Sequence, residues 1–271
     1  GNMTGFDLAA YLDRLGLDRV PVSATGLRAV QEAQMRTVPF EAIDPFLGLV
    51  PDLAVDTIAA RTVGGARGGY CFELNALFGA ALGALGFNVH RSLGRVRNGA
   101  PRGGARSHLV LRVNVDGGHF LADCGFGGPG PLVPLDLGHG GEQFAPNGTY
   151  RVRDDLETGE RVIEQRRAEI WYPLFGFDEA YVGDEDIAGA NFMCARWEAK
   201  PFAANLMLAG YDGDTRIGVF NRALTLGSSG HEERRTIGSE AELAETLLRL
   251  RIGLDPAAVS QLWSRLMSRR P

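Results

Sequence analysis

Cysteine is scarce in this chain. Three occur in 271 residues, Cys71, Cys124 and Cys194, an odd number at wide spacing with no Cys-x-x-Cys pair. That excludes a disulfide-stapled fold and fits a reducing compartment, the cytoplasm. Positive charge is also short: 28 basic side chains face 33 acidic ones, a formal net charge of −5. A protein that grips nucleic acid regardless of sequence needs the opposite balance, because its affinity comes from releasing counterions around phosphates. No apolar run approaches the roughly 18 residues of a membrane span, and no basic-then-apolar leader opens the sequence. His119, His139 and His231 stand alone, without the closely spaced partners that hold zinc, so no metal is expected. No internal repeat and no long low-complexity tract is present.

What is present is ample core. Hydrophobic residues make up 45% of the chain, enough for one large domain or two to three modest ones. The first ninety residues read as helical. Phe6 to Leu15 carries Leu8, Ala9, Leu12 and Leu15 at helical spacing before Gly16, and further helices are expected near Thr25–Met35 and Asp56–Ala60. The apolar stretch after Cys71 ends at Gly86 and reads as a buried helix. Beyond Phe87, alternating and β-branched segments take over: Asn88–Leu93, His108–Val115, His119–Asp123, Tyr150–Val152, Arg161–Arg167 and Glu169–Trp171. A helical pattern returns over Asp184–Lys200. Strands are then expected at Leu206–Ala209, Arg216–Phe220 and Ala223–Leu226. A helix follows Ser239, with Glu242 completing a capping box, and a last one spans Ala257–Met267. This is α+β in several parts: helices over 1–90, a β-rich part over 91–185, a crossing helix within 186–205, and a mixed part over 206–271.

The nine residues RGGYCFELN, Arg67 to Asn75, hold the first candidate for chemistry. Gly68 and Gly69 let the backbone come close to whatever lies before the helix. A thiol at a helix start feels the positive end of the macrodipole, and Arg67 lies just upstream. Both would favour the thiolate, the nucleophilic form; a buried packing cysteine would look the same. A nucleophilic cysteine wants a base and a group to orient it. His108 opens HLVLRVNVDGGHFLAD, which reads as a hairpin turning at Asp116-Gly117. With that two-residue loop, Val115 faces Gly118, and Asp123 falls opposite Val110, a diagonal step from His108 and within reach of it. A three-residue loop would put the two on opposite faces. Taken singly, His108 also reads as a strand-end histidine and Asp123 as a turn-capping carboxylate.

RGGYCFELN, followed by His108-Leu109-Val110-Leu111 and by Phe120 to Gly127 (FLADCGFG), closely resembles the arylamine N-acetyltransferases. Val38-Pro39-Phe40-Glu41 and Asp44, ahead of Gly48, match the same family's N-terminal motif. The resemblance runs the length of the chain and is strongest between residues 38 and 130. It implies a helical bundle, a central β-barrel and an α/β lid. It also implies a cysteine-protease-like triad of Cys71, His108 and Asp123, with Phe126 and Phe40 lining an acceptor pocket. The chain departs from the family pattern at Ala42-Ile43, at Cys124 and at Cys194-Ala195-Arg196-Trp197. Cys124 reads as packing.

The implied reaction is ping-pong: Cys71 takes an acetyl group from acetyl-CoA and passes it to an arylamine, hydrazine or hydrazide, with His108 accepting the proton. Two stretches are candidates for holding CoA. The Gly125–Gly130 run brings Gly125, Gly127 and Gly128 backbone N–H groups forward, though a plain barrel loop would look alike. The stretch from His90 to His108 carries Arg91, Arg95, Arg97, Arg102 and Arg106 without an acid, an anion attractor or, more commonly, a solvated basic loop. Asp178, Glu179, Asp184, Glu185 and Asp186 read as a solvated linker and helix start. The rival functions are a thiol hydrolase or transglutaminase-like enzyme, an amide synthase closing a macrocycle, and a non-catalytic CoA binder.

Overall fold

The apolar run after Cys71 forms a helix buried on nearly every side, α5 (Cys71–Leu85), which ends where Gly86 adopts φ +104° and its N–H returns to Leu82 and Gly83. A computed structural model describes residues 5–228 and 230–269. Around α5 pack α1 (Leu8–Leu15), α2 (Ala24–Thr37) and α4 (Val55–Thr62). Asp7 and Ser23 cap the first two by accepting from Ala10 and Gly26 N–H groups. Two short elements between α2 and α4 have no sequence signal: the two-residue strand β1 (Phe40–Glu41) and the single turn α3 (Ile43–Phe46).

After Gly86 the chain builds an eight-stranded antiparallel sheet that curls into a nearly closed barrel. Its strands are β2 (Asn88–Val96), β3 (His108–Val115), β4 (Gly118–Ala122), β5 (Leu135–Asp136), β6 (Gln143–Ala145), β7 (Gly148–Asp155), β8 (Glu160–Arg167) and β9 (Ile170–Phe177), in the order β5-β4-β3-β2-β9-β8-β7-β6. The β3–β4 hairpin turns at Asp116-Gly117, both at positive φ, and pairs Val115 with Gly118 and Leu111 with Ala122. That is the two-residue loop expected from the sequence. Asp116 also accepts from the Ala24 N–H, pinning the hairpin tip to the start of α2. Strand β3 is buried on both faces: Leu109, Leu111, Val113 and Val115 pack with α5, and Val110 packs inside the barrel with Leu121, Ile163 and Phe175. His108 shares Val110's face by strand alternation.

No backbone ladder joins the edge strands β5 and β6. One side chain spans them: Gln143 on β6 accepts from Asp136 N–H and donates to Asp136 C=O, each at 2.8 Å. Strands β5 and β6, two and three residues long, are too short to leave a periodic pattern.

The arginine-rich stretch is not a free basic patch, although its tip, including Arg102, is exposed. Arg91 pairs with Asp184, Arg97 with Asp155 and Glu160, Arg102 with Glu157, Arg106 with Asp178, and Arg95 approaches Glu160. Glu179 gathers Arg112, His119 and Arg161. Two arginines of the stretch, Arg91 and Arg106, meet the acidic cluster, because strands β2 and β9 lie side by side and bring the flanking loops together; its other three pair with acids of the β7–β8 hairpin.

Helix α6 (Asp184–Arg196) crosses to a second sheet, ordered β1-β10-β11-β12-β13, made of β1 with β10 (Met207–Asp212), β11 (Thr215–Phe220), β12 (Ala223–Ser228) and β13 (His231–Thr236). Helices α7 (Glu240–Arg249) and α8 (Pro256–Met267) share its core through Leu243, Leu247, Leu262 and Leu266. Ser239 caps α7 as the sequence indicates. Strand β13 reads HEERRT and is polar at every position; it is an exposed edge strand, so no hydrophobic alternation marks it. Among the described residues no helix is long and apolar enough to cross a membrane.

The Gln143 clasp gives a test of barrel closure. Replacing Gln143 with Leu leaves Asp136 N–H and C=O without partners and is expected to cost about 1–2 kcal/mol, read as a lower urea midpoint with unchanged slope.

Candidate active site

Cys71 begins α5 under strong constraint. An added Cβ at Gly68 would lie 1.8 Å from the Pro39 carbonyl oxygen, and one at Gly69 would lie 2.6 Å from the Glu73 side chain. The two glycines are needed for this close approach: Gly69 C=O accepts from Glu41 N–H at 2.9 Å, laying the residues before the helix alongside β1. Glu73 reaches back to the Tyr70 N–H at 3.3 Å and fixes the first turn of the helix.

Arg67 does not serve the thiol. Its guanidinium grips Glu41 at 2.6 and 3.0 Å and Asp44 at 3.1 Å. Arg61 joins the same buried cluster, 2.5 Å from Asp44 and 3.7 Å from Glu73. Three carboxylates thus share two guanidinium groups. Glu73, buried and the farthest of the three acids from a guanidinium, has its pKa pushed up to about 8 by burial, with Arg61 pulling it down and Glu41 pushing it further up.

The Cys71 thiol is itself enclosed, 5% exposed. Burial pushes its pKa up, neighbouring Cys194 adds to that, and a hydrogen bond from the Leu109 backbone opposes it. Burial therefore works against the thiolate here, and Arg67, committed to Glu41 and Asp44, does not offset it. Cys71 Sγ lies 3.6 Å from the carbonyl oxygen of Ser107, the residue before His108. His108 Nε2 meets Asp123 Oδ2 at 2.8 Å, with both side chains buried. Burial raises the Asp123 carboxyl, but His108, the Asn75 amide and the Gly125 N–H outweigh it and hold it below the ordinary carboxylate range. The imidazole is wedged by two aromatic rings in edge-to-face contact, Phe175 at 4.7 Å and Phe126 at 5.4 Å between centroids.

Asn75 joins these parts. It sits one turn after Cys71, fully buried, and donates to Leu109 C=O at 2.7 Å and to Asp123 Oδ1 at 2.9 Å; its own Oδ1 accepts from Cys124 N–H at 2.9 Å. One amide thereby fixes the nucleophile-bearing helix to the strand of His108 and to Asp123 itself. Gln31 from α2 adds a second clamp, accepting from Asp123 N–H and donating to Pro131 C=O. Neither role was visible in the sequence, although a lone amide on an otherwise apolar helix was a signal for Asn75.

Phe40 and Phe126 do come together, around a cavity of about 30 Å³ that Cys124, Gly128, Tyr211 and Arg216 also line. A ligand site for a small aromatic needs roughly ten times that or more, so an acceptor entering here must displace a ring. The glycines of the 125–130 loop are explained first by packing: a Cβ at Gly125 would meet Cys71 Cα at 2.6 Å, and one at Gly127 would meet the Phe40 ring at 2.7 Å. Gly125 N–H is committed to Asp123 at 2.8 Å, and Arg216 holds Gly127 C=O at 3.0 Å. Cys124 is buried, with burial raising its thiol, in keeping with a packing role.

Comparison with known proteins defines the class. The family model described as N-acetyltransferase matches residues 24–259. The protein is an acyltransferase. An arylamine N-acetyltransferase of Mycolicibacterium smegmatis is 35% identical over 257 residues, 92% of this chain and 92% of that protein. The Salmonella typhimurium arylamine N-acetyltransferase structure superposes with a TM-score of 0.89 at 29% identity, covering 98% of this chain and 100% of that one. The Mycobacterium marinum enzyme solved in complex with CoA gives 0.88 at 29% identity, over 97% and 99% of the two chains. The chain belongs to the arylamine N-acetyltransferase family.

Two substitutions test the architecture of the site. Asn75→Leu strands Leu109 C=O, Cys124 N–H and Asp123, and is expected to destabilise the protein by about 2–4 kcal/mol, measured by denaturant unfolding. Glu73 has a folded pKa raised above its unfolded value, so the protonated form is favoured by folding and stability falls as pH rises from about 4 to about 8. Glu73→Gln removes that dependence. Its urea midpoint should gain on the parent at pH 8.5 and not at pH 4, and an equal difference at both would show that folding leaves the Glu73 pKa unshifted.

Proposed function

We propose that the protein transfers an acetyl group from acetyl-CoA to aromatic amines, hydrazines or hydrazides by a ping-pong route through a Cys71 thioester. The observation that supports this reading is the Asp123–His108 hydrogen bond, 2.8 Å long, together with the approach of Cys71 Sγ to within 3.6 Å of the carbonyl oxygen of Ser107, the residue before His108. With Nε2 bound to Asp123, Nδ1 is the ring nitrogen left to take a proton. An isolated thiolate in this buried place would be costly, but a thiolate formed together with an imidazolium is compensated by its partner. Asp123, held ionised, supports the positive ring and fixes its orientation.

In the first half-reaction Cys71 sulfur attacks the acetyl carbonyl of acetyl-CoA. The thiol proton passes to His108 and then to the departing CoA sulfur. One thioester replaces another, so the exchange is near balance. The Cys71 backbone N–H, presented by the helix start, is positioned to receive the developing oxyanion. In the second half-reaction the amine nitrogen attacks the acetyl-enzyme, gives its proton to His108, and the proton returns to Cys71 as the C–S bond breaks. An alkyl amine with a pKa near that of lysine, about 10.4, is almost wholly protonated at neutral pH and lacks the needed lone pair; an arylamine or hydrazine is not. The Phe40 and Phe126 rings offer such an acceptor an apolar bed once a ring moves aside. The CoA end of the donor is assigned to the loop after Asp123. Because Gly125 N–H is already taken, its contacts fall to Gly127 and Gly128. The M. marinum relative's complex with CoA supports this class of donor.

Purified protein mixed with acetyl-CoA alone should gain one acetyl group in its intact mass and lose it on addition of an aromatic amine or hydrazine. Cys71→Ala and Cys71→Ser should gain nothing. CoA release that continues without an acceptor would favour a hydrolase, and an adduct that persists in Cys71→Ala would move the nucleophile elsewhere.

A further inference from the structure

A second thiol converges on the carbonyl that Cys71 touches. Cys194 Sγ on α6 lies 3.6 Å from the Ser107 carbonyl oxygen, as Cys71 Sγ does, so the two sulfurs are at most twice that distance apart. Cys194 is fully buried. The reaction described above gives it no work. Beside it stands Lys200, the only lysine in the chain, whose Nζ lies 3.3 Å from the Ser107 hydroxyl. Burial raises the Cys194 thiol and the Lys200 ammonium opposes that rise.

We propose that Cys71 and Cys194 form a reversible disulfide under hydroperoxide, making Cys194 a resolving residue that protects the nucleophile from irreversible oxidation. Cys71 sulfur attacks a peroxide oxygen: an S–O bond forms, the O–O bond breaks, and the alcohol or water that leaves carries the thiol proton delivered through His108. The sulfur is oxidised to a sulfenic acid and the peroxide is reduced. Cys194 sulfur then attacks Cys71 sulfur; an S–S bond forms, the S–O bond breaks, and the hydroxyl departs as water with the Cys194 proton. The two thiols lose two hydrogens between them, and a thiol reductant restores both. Lys200 favours the second step because the attacking group is the Cys194 thiolate. Without a neighbouring thiol, the sulfenic acid would remain open to further oxidation to sulfinic acid, which a thiol does not reverse. The third cysteine, Cys124, is turned to the Gln31 carbonyl and lies outside the pair.

The cross-link stands on the convergence of the two thiols; its effect on activity rests on the reading of Cys71 as nucleophile. The test treats the full-length protein with a small excess of hydrogen peroxide and follows intact mass, a non-reduced peptide map and acetyl-transfer rate together. The parent should lose two hydrogens, yield one peptide joining Cys71 to Cys194, lose activity, and regain mass and activity with dithiothreitol. Cys194→Val and Cys194→Ser should keep the starting activity, gain oxygen on Cys71 instead, and recover far less on reduction. Cys124→Ser should still yield the peptide joining Cys71 to Cys194. A map with no Cys71–Cys194 peptide, or Cys194 variants that recover as fully as the parent, would overturn the proposal. If the linked peptide forms and activity survives, the cross-link is real and Cys71 is not the nucleophile, which separates the two claims.

Discussion

Everything at the candidate site depends on the hydrogen bonds of one buried amide. Asn75 projects from the helix that begins with Cys71 and spends its donors on Leu109 and Asp123 and its acceptor on Cys124. A helix packed against a barrel wall through Leu and Val side chains alone can slide or rotate by a fraction of a turn at little cost, since apolar contact is non-directional. The amide removes that freedom. Any shift of α5 along β3 leaves buried polar groups unpaired, and that is expensive where water cannot reach. The separation of Cys71 from the His108 strand is therefore set by hydrogen-bond geometry rather than by packing.

A second constraint acts from the other side of the helix start. Gly68 and Gly69 allow β1 to lie against the approach to Cys71, and the Glu41, Asp44, Arg61, Arg67 and Glu73 cluster locks that arrangement from beneath. Strand β1 also pairs with β10, Phe40 opposite Ala209, so the N-terminal helices are hydrogen-bonded to the C-terminal sheet. The same residues that shape the nucleophile's position thus tie the distant ends of the chain together. A buried cluster with more acids than bases is not a device for stability, because the unpaired charge must be neutralised or paid for in desolvation. Its value is in fixing one arrangement.

Charge pairing works similarly across the barrel. The arginines between His90 and His108 and the acids between Asp178 and Asp184 look in the sequence like two separate solvated patches. Pairing of β2 with β9 brings them into contact, Arg106 with Asp178 and Arg91 with Asp184, at the point where the chain leaves the barrel for α6. This is also where α6 places Cys194 near the Ser107 carbonyl, so the route of the chain out of the barrel delivers a second thiol to the site.

The sequence by itself determined a good deal. The periodicity of the helices, the Asp116-Gly117 turn and the hairpin register all follow from local chemistry: apolar spacing, caps, and the positive φ that a two-residue hairpin requires. With that register, His108 and Asp123 were bound to share a face, and the structure has them hydrogen-bonded. Only the tertiary structure decided the rest. Strands β5 and β6 are too short and β13 too polar to announce themselves, and β1 is defined by its pairing with β10 and with Gly69. Arg67 looked like a partner for the thiol because it is near in sequence, yet its guanidinium is bound to Glu41 and Asp44. The thiol's environment was likewise misjudged, since desolvation is a property of everything packed around a group and no neighbour in the chain reports it. The joint role of Asn75, the wedging of His108 by Phe175, and the meeting of Cys71 with Cys194 each link residues tens of positions apart, and contacts at that distance are set by how the helices, barrel and second sheet close upon one another.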